Sequence, residues 1–265
     1  MLKKEWRYFL LALGFFTRIP VPKFEDFHND ELNQSAKYFP LIGILVGLAG
    51  ALIFFVAGMV FPQSVAVLIS TASTIWLTGA FHEDGLADSI DGFGGGYERE
   101  QVFTIMQDSR LGTYGALALF LALIGKIQIL SHLHPAFVPL VLVVGHALSR
   151  LAAVWVMATA TYVKPNGKAK PLATQISGTH VLVANLFGIL PMLVMLTLLV
   201  IFQHPAWAII KLALFSILPV ILAWSWWRAK LLKRLGGYTG DTLGATQQIT
   251  ELVFYLGVLA WSAKL

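Results

Sequence analysis

The chain has 265 residues, of which 57% are hydrophobic and only 12% charged, with a formal charge of +5. A soluble domain carries about twice that share of charge on a smaller apolar fraction, so the composition is that of a polytopic membrane protein. The absence of cysteine removes disulfides, thiolate zinc sites, iron–sulfur clusters and cysteine nucleophiles. The basic excess implies no nucleic-acid partner, because Lys and Arg flanking membrane spans have a commoner cause.

In chain order, Lys3, Lys4 and Arg7 precede an apolar stretch over residues 8–16. Residues 2–16 are expected to form an amphipathic helix lying at the membrane interface. The chain then runs into Thr17-Arg18-Ile19-Pro20-Val21-Pro22 with no small-x-small cleavage site, so a cleaved signal peptide is not expected. About seven apolar segments follow, near the roughly 20 residues that span hydrocarbon. They fall at about 38–61, 64–82, 113–131, 137–162, 181–202, 206–227 and 243–262. The expected fold is all-α, a helical membrane bundle forming a single catalytic domain over residues 1–265.

The loops alternate. Those at 61–63, 131–135 and 203–205 are short, contain Pro and lack Lys and Arg. The opposite side carries Lys3, Lys4, Arg7, Arg18, Lys23 and Lys37, then Arg99 and Arg110, then Lys164, Lys168 and Lys170, then Arg228, Lys230, Lys233 and Arg234. The positive-inside bias places that side, with the N-terminus, in the cytoplasm and the C-terminus outside. Lys126, Lys211 and Lys264 lie near outer ends, where a long side chain can snorkel to water. Trp224, Trp226 and Trp227 fit an interfacial anchor.

Chemistry concentrates in Phe81-His82-Glu83-Asp84-Gly85-Leu86-Ala87-Asp88-Ser89-Ile90-Asp91-Gly92. On a helix Asp84, Asp88 and Asp91 stand at i, i+4 and i+7 and share a face. Bare acids so placed repel one another and are stabilised by a cation or by retained protons. Oxygen ligands select hard cations such as Mg²⁺, so these three aspartates are the expected metal ligands, facing an anionic substrate. Glu83 lies off that face and ranks behind them. His82 is a base, a ligand or an ordinary helix-end histidine.

Further along, Met106-Gln107-Asp108-Ser109-Arg110-Leu111-Gly112-Thr113 opens the third span. Asp108 can complete a metal site, and Arg110 can hold a phosphate with its planar fork. Ser109 and Thr113 can instead cap the new helix. Arg150 falls mid-span beside Ser149 and one turn from His146; an arginine there needs a partner, either a phosphate or a carboxylate. Gly236-Gly237-Tyr238-Thr239-Gly240-Asp241-Thr242-Leu243-Gly244-Ala245 is a glycine-rich turn feeding a helix. Its backbone N–H groups can meet an anion, with Gly240 and Asp241 at the helix start and Asp241 expected as the N-cap. A plain turn has the same composition.

The stretches at 81–92 and 106–115 (Met-Gln-Asp-Ser-Arg-Leu-Gly-Thr-Tyr-Gly) resemble the signatures of the cobalamin synthase family, the adenosylcobinamide-GDP ribazoletransferases. Residues 17–22, 38–43 (Tyr-Phe-Pro-Leu-Ile-Gly) and 237–245 extend the resemblance in unchanged order. It implies a Mg²⁺-dependent enzyme of the bacterial inner membrane with its active site in the cytoplasm. Such an enzyme joins adenosylcobinamide-GDP to α-ribazole or its 5′-phosphate and releases GMP. Asp84, Asp88, Asp91 and Arg110 would be catalytic; Asp108, Ser109, Arg150, Gly240, Asp241 and His82 would bind substrate. The lipid bilayer is then a partner, and a homo-oligomer or association with other cobalamin-assembly enzymes stays open. Two rival readings differ in pattern. Membrane prenyltransferases usually space their acids Asp-x2-Asp-x3-Asp and CDP-alcohol phosphotransferases carry Arg after Ala, whereas this chain has Asp-x3-Asp-x2-Asp and Asp88 after Ala87. An ion-coupled transporter would favour acids at mid-membrane.

Overall fold

The computed structural model describes residues 2–24, 28–163 and 176–263. The basic residues Lys164, Lys168, Lys170 and Lys264 lie outside them. The helices are α1 (Leu2–Phe16), α2 (Asn29–Ser35), α3 (Phe39–Gly58), α4 (Gln63–Thr78), α5 (Phe81–Gly95), α6 (Arg99–Met106), α7 (Thr113–Ser131), α8 (Val138–Thr159), α9 (Gly178–Ile201), α10 (Ala206–Leu235) and α11 (Gly240–Ser262). Among the described residues no β-strand forms; a single bridge joins Tyr162 to Tyr238. The fold is an all-α polytopic bundle.

Helix α8 is its centre. It is buried along almost its whole length, against α3, α9 and α11. The lipid-facing helices show the opposite pattern, with large apolar side chains outward, such as Leu52 and Phe55 on α3 and Leu182 and Leu186 on α9. That is the economy of a membrane protein, since lipid and Leu are equally apolar and only polar groups must turn inward. Helix α1 is pinned to the segment after it by ion pairs, Arg7 with Glu31 at 2.8 Å and Lys37 with Glu5 at 2.6 Å.

Among the described residues five helical segments are long and apolar enough to cross a membrane, α3 together with α2 and the turn before it, α7, α8, α9 and α10, and the bent pair of α4 and α5 makes a sixth if it is one broken span. The expected second span, 64–82, is not continuous. Helix α4 stops at Thr78, and α5 leaves it at 86°. The cause is local. Gly79 and Ala80 both adopt left-handed backbone, with φ of 67° and 59°. Their N–H groups return to Trp76 and Ile75, closing a Schellman-type terminus. Left-handed Ala costs about 1–2 kcal/mol, and the chain after α1 supports it, Arg18 N–H donating to the Leu77 carbonyl at 2.8 Å. The acid helix is therefore a separate element turned aside at the end of a span. The expected seventh span, α11, is long enough at about 1.5 Å per residue. It fails on apolarity because it buries Thr246, Gln247, Gln248, Thr250 and Glu251. Two further expectations change. Helix α10 runs on to Leu235, so Arg228, Lys230, Lys233 and Arg234 ride its last turns rather than a loop. Trp227 is fully buried, with its indole N–H donating to the Thr242 carbonyl at 3.3 Å, so of the trio only Trp226 is exposed, Trp224 being partly buried.

Candidate active site

Asp84 and Glu83 sit in the first turn of α5, where acids complement the helix dipole. The helix keeps the register that the spacing requires, yet its three aspartates meet different surroundings. Asp84 is exposed and Asp88 half-buried, whereas Asp91 is buried. Both Asp91 oxygens accept backbone N–H groups at the start of α7, from Gly112 and Gly115, each at 2.8 Å. Helix α7 has no side-chain cap of its own, its N-cap being Gly112. Asp91 therefore caps it from another helix, a role that Ser109 and Thr113 do not take.

The fourth aspartate arrives from the far end of the chain. Thr239, not Asp241, is the N-cap of α11, in a reciprocal capping box with Thr242. Asp241 follows in the first turn. Gly85 lets that turn come against α5: a Cβ at Gly85 would lie 2.7 Å from the Asp241 backbone oxygen and 3.2 Å from Gly244 Cα. Asp84, Asp88 and Asp241 thus face one another across the α5–α11 contact. Burial first, then the charges of Asp84, Asp241 and Asp91, push the Asp88 carboxyl up to about 7. Among the described residues no three His, Asp or Glu side chains form a preassembled metal cage. What the cluster offers is carboxylate oxygen alone, partly open to solvent and mutually repelling. That donor chemistry fits a hard cation whose shell is completed by substrate oxygens and water.

Asp108, Ser109 and Arg110 form the loop beside Asp91, at the other end of α5. Arg110 donates to the Asp108 carboxylate through Nε at 3.0 Å and Nη2 at 2.6 Å, and its backbone N–H adds a bond at 3.1 Å. These bonds hold the Asp108 carboxyl down at about 2. The pair lines an open groove with Asp91 and Tyr114, and Ser109 is exposed in the same loop. The Arg110 guanidinium is engaged by Asp108 rather than directed at Asp84.

Arg150 is almost wholly buried. Its Nη1 donates to the His146 carbonyl at 3.1 Å, and its Nη2 lies 3.0 Å from His82 Nε2. A guanidinium only donates, so His82 Nε2 accepts and the ring proton sits on Nδ1. Around them lies a buried network that the sequence reading missed. Glu251 pairs with Lys126 at 2.8 Å and His146 at 3.2 Å, and accepts from Tyr255 at 3.1 Å and from Gln247. Gln248 donates to Glu83 at 2.9 Å. Glu83 is thus turned into the bundle, away from the face that carries Asp84 and Asp88, and Lys126 does not snorkel. The signal was present, since a carboxylate inside a span needs a partner; nothing in the spacing named Lys126.

The chain is thus a helical membrane bundle with a carboxylate cluster on α5 and α11 and a buried charge network behind it, the arrangement of a membrane enzyme. The model of the cobalamin-5-phosphate synthase family matches residues 8–259, and the chain belongs to that family. It is 47% identical to the adenosylcobinamide-GDP ribazoletransferase of Shewanella amazonensis, over 98% of each chain. It is 43% identical to the protein of that name from Ralstonia pickettii, over 99% of each. No solved structure matches.

Proposed function

We propose that this chain is an adenosylcobinamide-GDP ribazoletransferase. It joins adenosylcobinamide-GDP to α-ribazole or its 5′-phosphate, at an active site built on the α5–α11 contact. The observation that carries the reading is the convergence of Asp84 and Asp88 with Asp241, from distant parts of the sequence, across the contact of two helices. A ribazole hydroxyl attacks the phosphorus that bears the cobinamide arm. The bond from that phosphorus to the bridging oxygen breaks, and GMP leaves. Such a displacement needs positioning and charge neutralisation more than a protein nucleophile.

Asp84 and Asp88, with Asp241 opposite, would hold Mg²⁺, and Asp91 adds its charge while anchoring α7 to the acid helix. When bound, the ion neutralises the pyrophosphate oxygens and the departing phosphate. The chain's own residues do the rest. The hydroxyl proton passes to the carboxylate cluster. Arg110, exposed on its loop and held by Asp108, is placed to swing onto an incoming phosphate. Arg150, through His82, and Gln248, through Glu83, hold the start of α5 from behind.

The site faces the cytoplasm of a bacterial inner membrane, because the Lys and Arg of α1, α6 and the end of α10 share its side. The test is GMP release by the purified full-length protein in nanodiscs, with and without Mg²⁺. Asp84→Asn serves as the control for the site. No GMP from the wild-type protein with both substrates and Mg²⁺ present would sink the reading.

A further inference from the structure

The end of α5, the loop after α6 and the start of α7 border an open groove of about 500 Å³. That is within the roughly 300–1,000 Å³ of small-molecule sites. Asp108 and Arg110 line it, and Tyr114 stands beside them. Tyr114 is seated on Gly94, where a Cβ would lie 2.6 Å from its ring, and 55% of the residue stays exposed. An aromatic ring so placed can stack on a base. Asp108 and Arg110 take up each other's hydrogen-bonding capacity, Nε lying 3.0 Å from both carboxylate oxygens and Nη2 2.6 Å from one. Their side chains are nonetheless 36% and 87% exposed. An ion pair so open to solvent contributes little, so a ligand can part it cheaply on one condition. It must bring an anion for the guanidinium and donors for the carboxylate, because otherwise one of the two charges loses its partner.

We infer that this groove is the subsite for the guanosine of the GDP-bearing substrate, with Asp108 reading the base. The inference rests on the transferase reading and extends it. Guanine presents two adjacent donors, its ring N1–H and its exocyclic amino group, and a carboxylate can accept from both at once. The phosphate of the same nucleotide takes Arg110, so one ligand replaces both halves of the resting pair. No other part of the two substrates does so. The base of ribazole, a dimethylated benzimidazole, has no N–H to give Asp108, and the corrinoid has amide donors but no anion of its own for Arg110. Position agrees with chemistry. Asp91 lines the groove and lies seven residues beyond Asp84 on α5, about 10 Å along the helix. A nucleotide laid along α5 therefore turns its phosphates toward Asp84 and Asp88 and its base toward Asp108.

Asp108→Asn tests this, because at an exposed loop position it keeps size and turns one acceptor into a donor. Asparagine pairs with xanthine, whose O2 accepts where the guanine amino group donates. Equilibrium dialysis of GMP, xanthosine monophosphate and AMP against the full-length protein in nanodiscs with Mg²⁺ reads the exchange. The wild type should hold GMP about tenfold or more tighter than the other two, and Asp108→Asn should reverse the order of GMP and xanthosine monophosphate. In turnover the same variant should raise KM for the GDP-bearing substrate and leave KM for ribazole unchanged. Arg110→Gln should weaken both nucleotides alike and keep the preference for guanine. An Asp108→Asn protein that loses both nucleotides equally, or that keeps the wild-type preference, overturns the subsite. So does a wild type that holds all three nucleotides alike. Reversed preference with no turnover in the wild type would sink the transferase reading and leave a guanine site standing, whereas turnover without reversal would sink the subsite alone.

Discussion

Gly85 and Asp241 stand in backbone contact although more than half of the chain separates them, and a side chain at Gly85 would strike the Asp241 carbonyl at 2.7 Å. This contact unites the two acidic helix starts. It explains a glycine in the first turns of α5, where its low helix propensity is otherwise a cost of about 1 kcal/mol.

Gly85→Val should therefore abolish activity by parting α5 from α11, with lowered thermal stability as well. Gly58→Val is the control, since a Cβ there meets nothing within 4 Å. GMP release and thermal unfolding, measured on both proteins, check the contrast.

Asp84→Asn and Asp241→Asn keep size and hydrogen bonding and remove charge. Each should lower turnover on the order of 100-fold or more with an unfolding midpoint close to wild type. Normal turnover in both would dismantle the shared site.

Asp91→Ala should behave differently from Asp84→Ala. It frees two N–H groups at the start of α7, so stability should fall by about 1–3 kcal/mol along with activity. Thermal unfolding of the two variants side by side separates a capping acid from an exposed one.

Lys126→Met leaves Glu251 buried with less compensation. Removing one partner of a buried pair costs about 3–5 kcal/mol. Adding Glu251→Gln should recover part of that loss, because the second change removes the orphaned charge. A double variant no better than the single one would refute the pairing.

Cysteine at Tyr97, which is 88% exposed, should label only from the cytoplasm, and cysteine at Met59, 68% exposed, only from outside. Labelling of Tyr97 from the periplasmic side would invert the topology.

Much of this was legible in one dimension. Helical register depends only on spacing along the chain, so 84, 88 and 91 could be placed on one face before any fold was known. Hydropathy and the side of the Lys and Arg residues are sums over local segments, and they marked the bundle and its loops. What the tertiary structure decided was pairing. That Asp91 caps α7, that Glu251 meets Lys126, and that Arg150 donates to His82 follow from which helix faces touch, and spacing does not encode this. The break after Thr78 escaped for a related reason. Ala80 has no propensity for left-handed backbone, and it is held there by the contact of Arg18 with Leu77, a relation between distant residues.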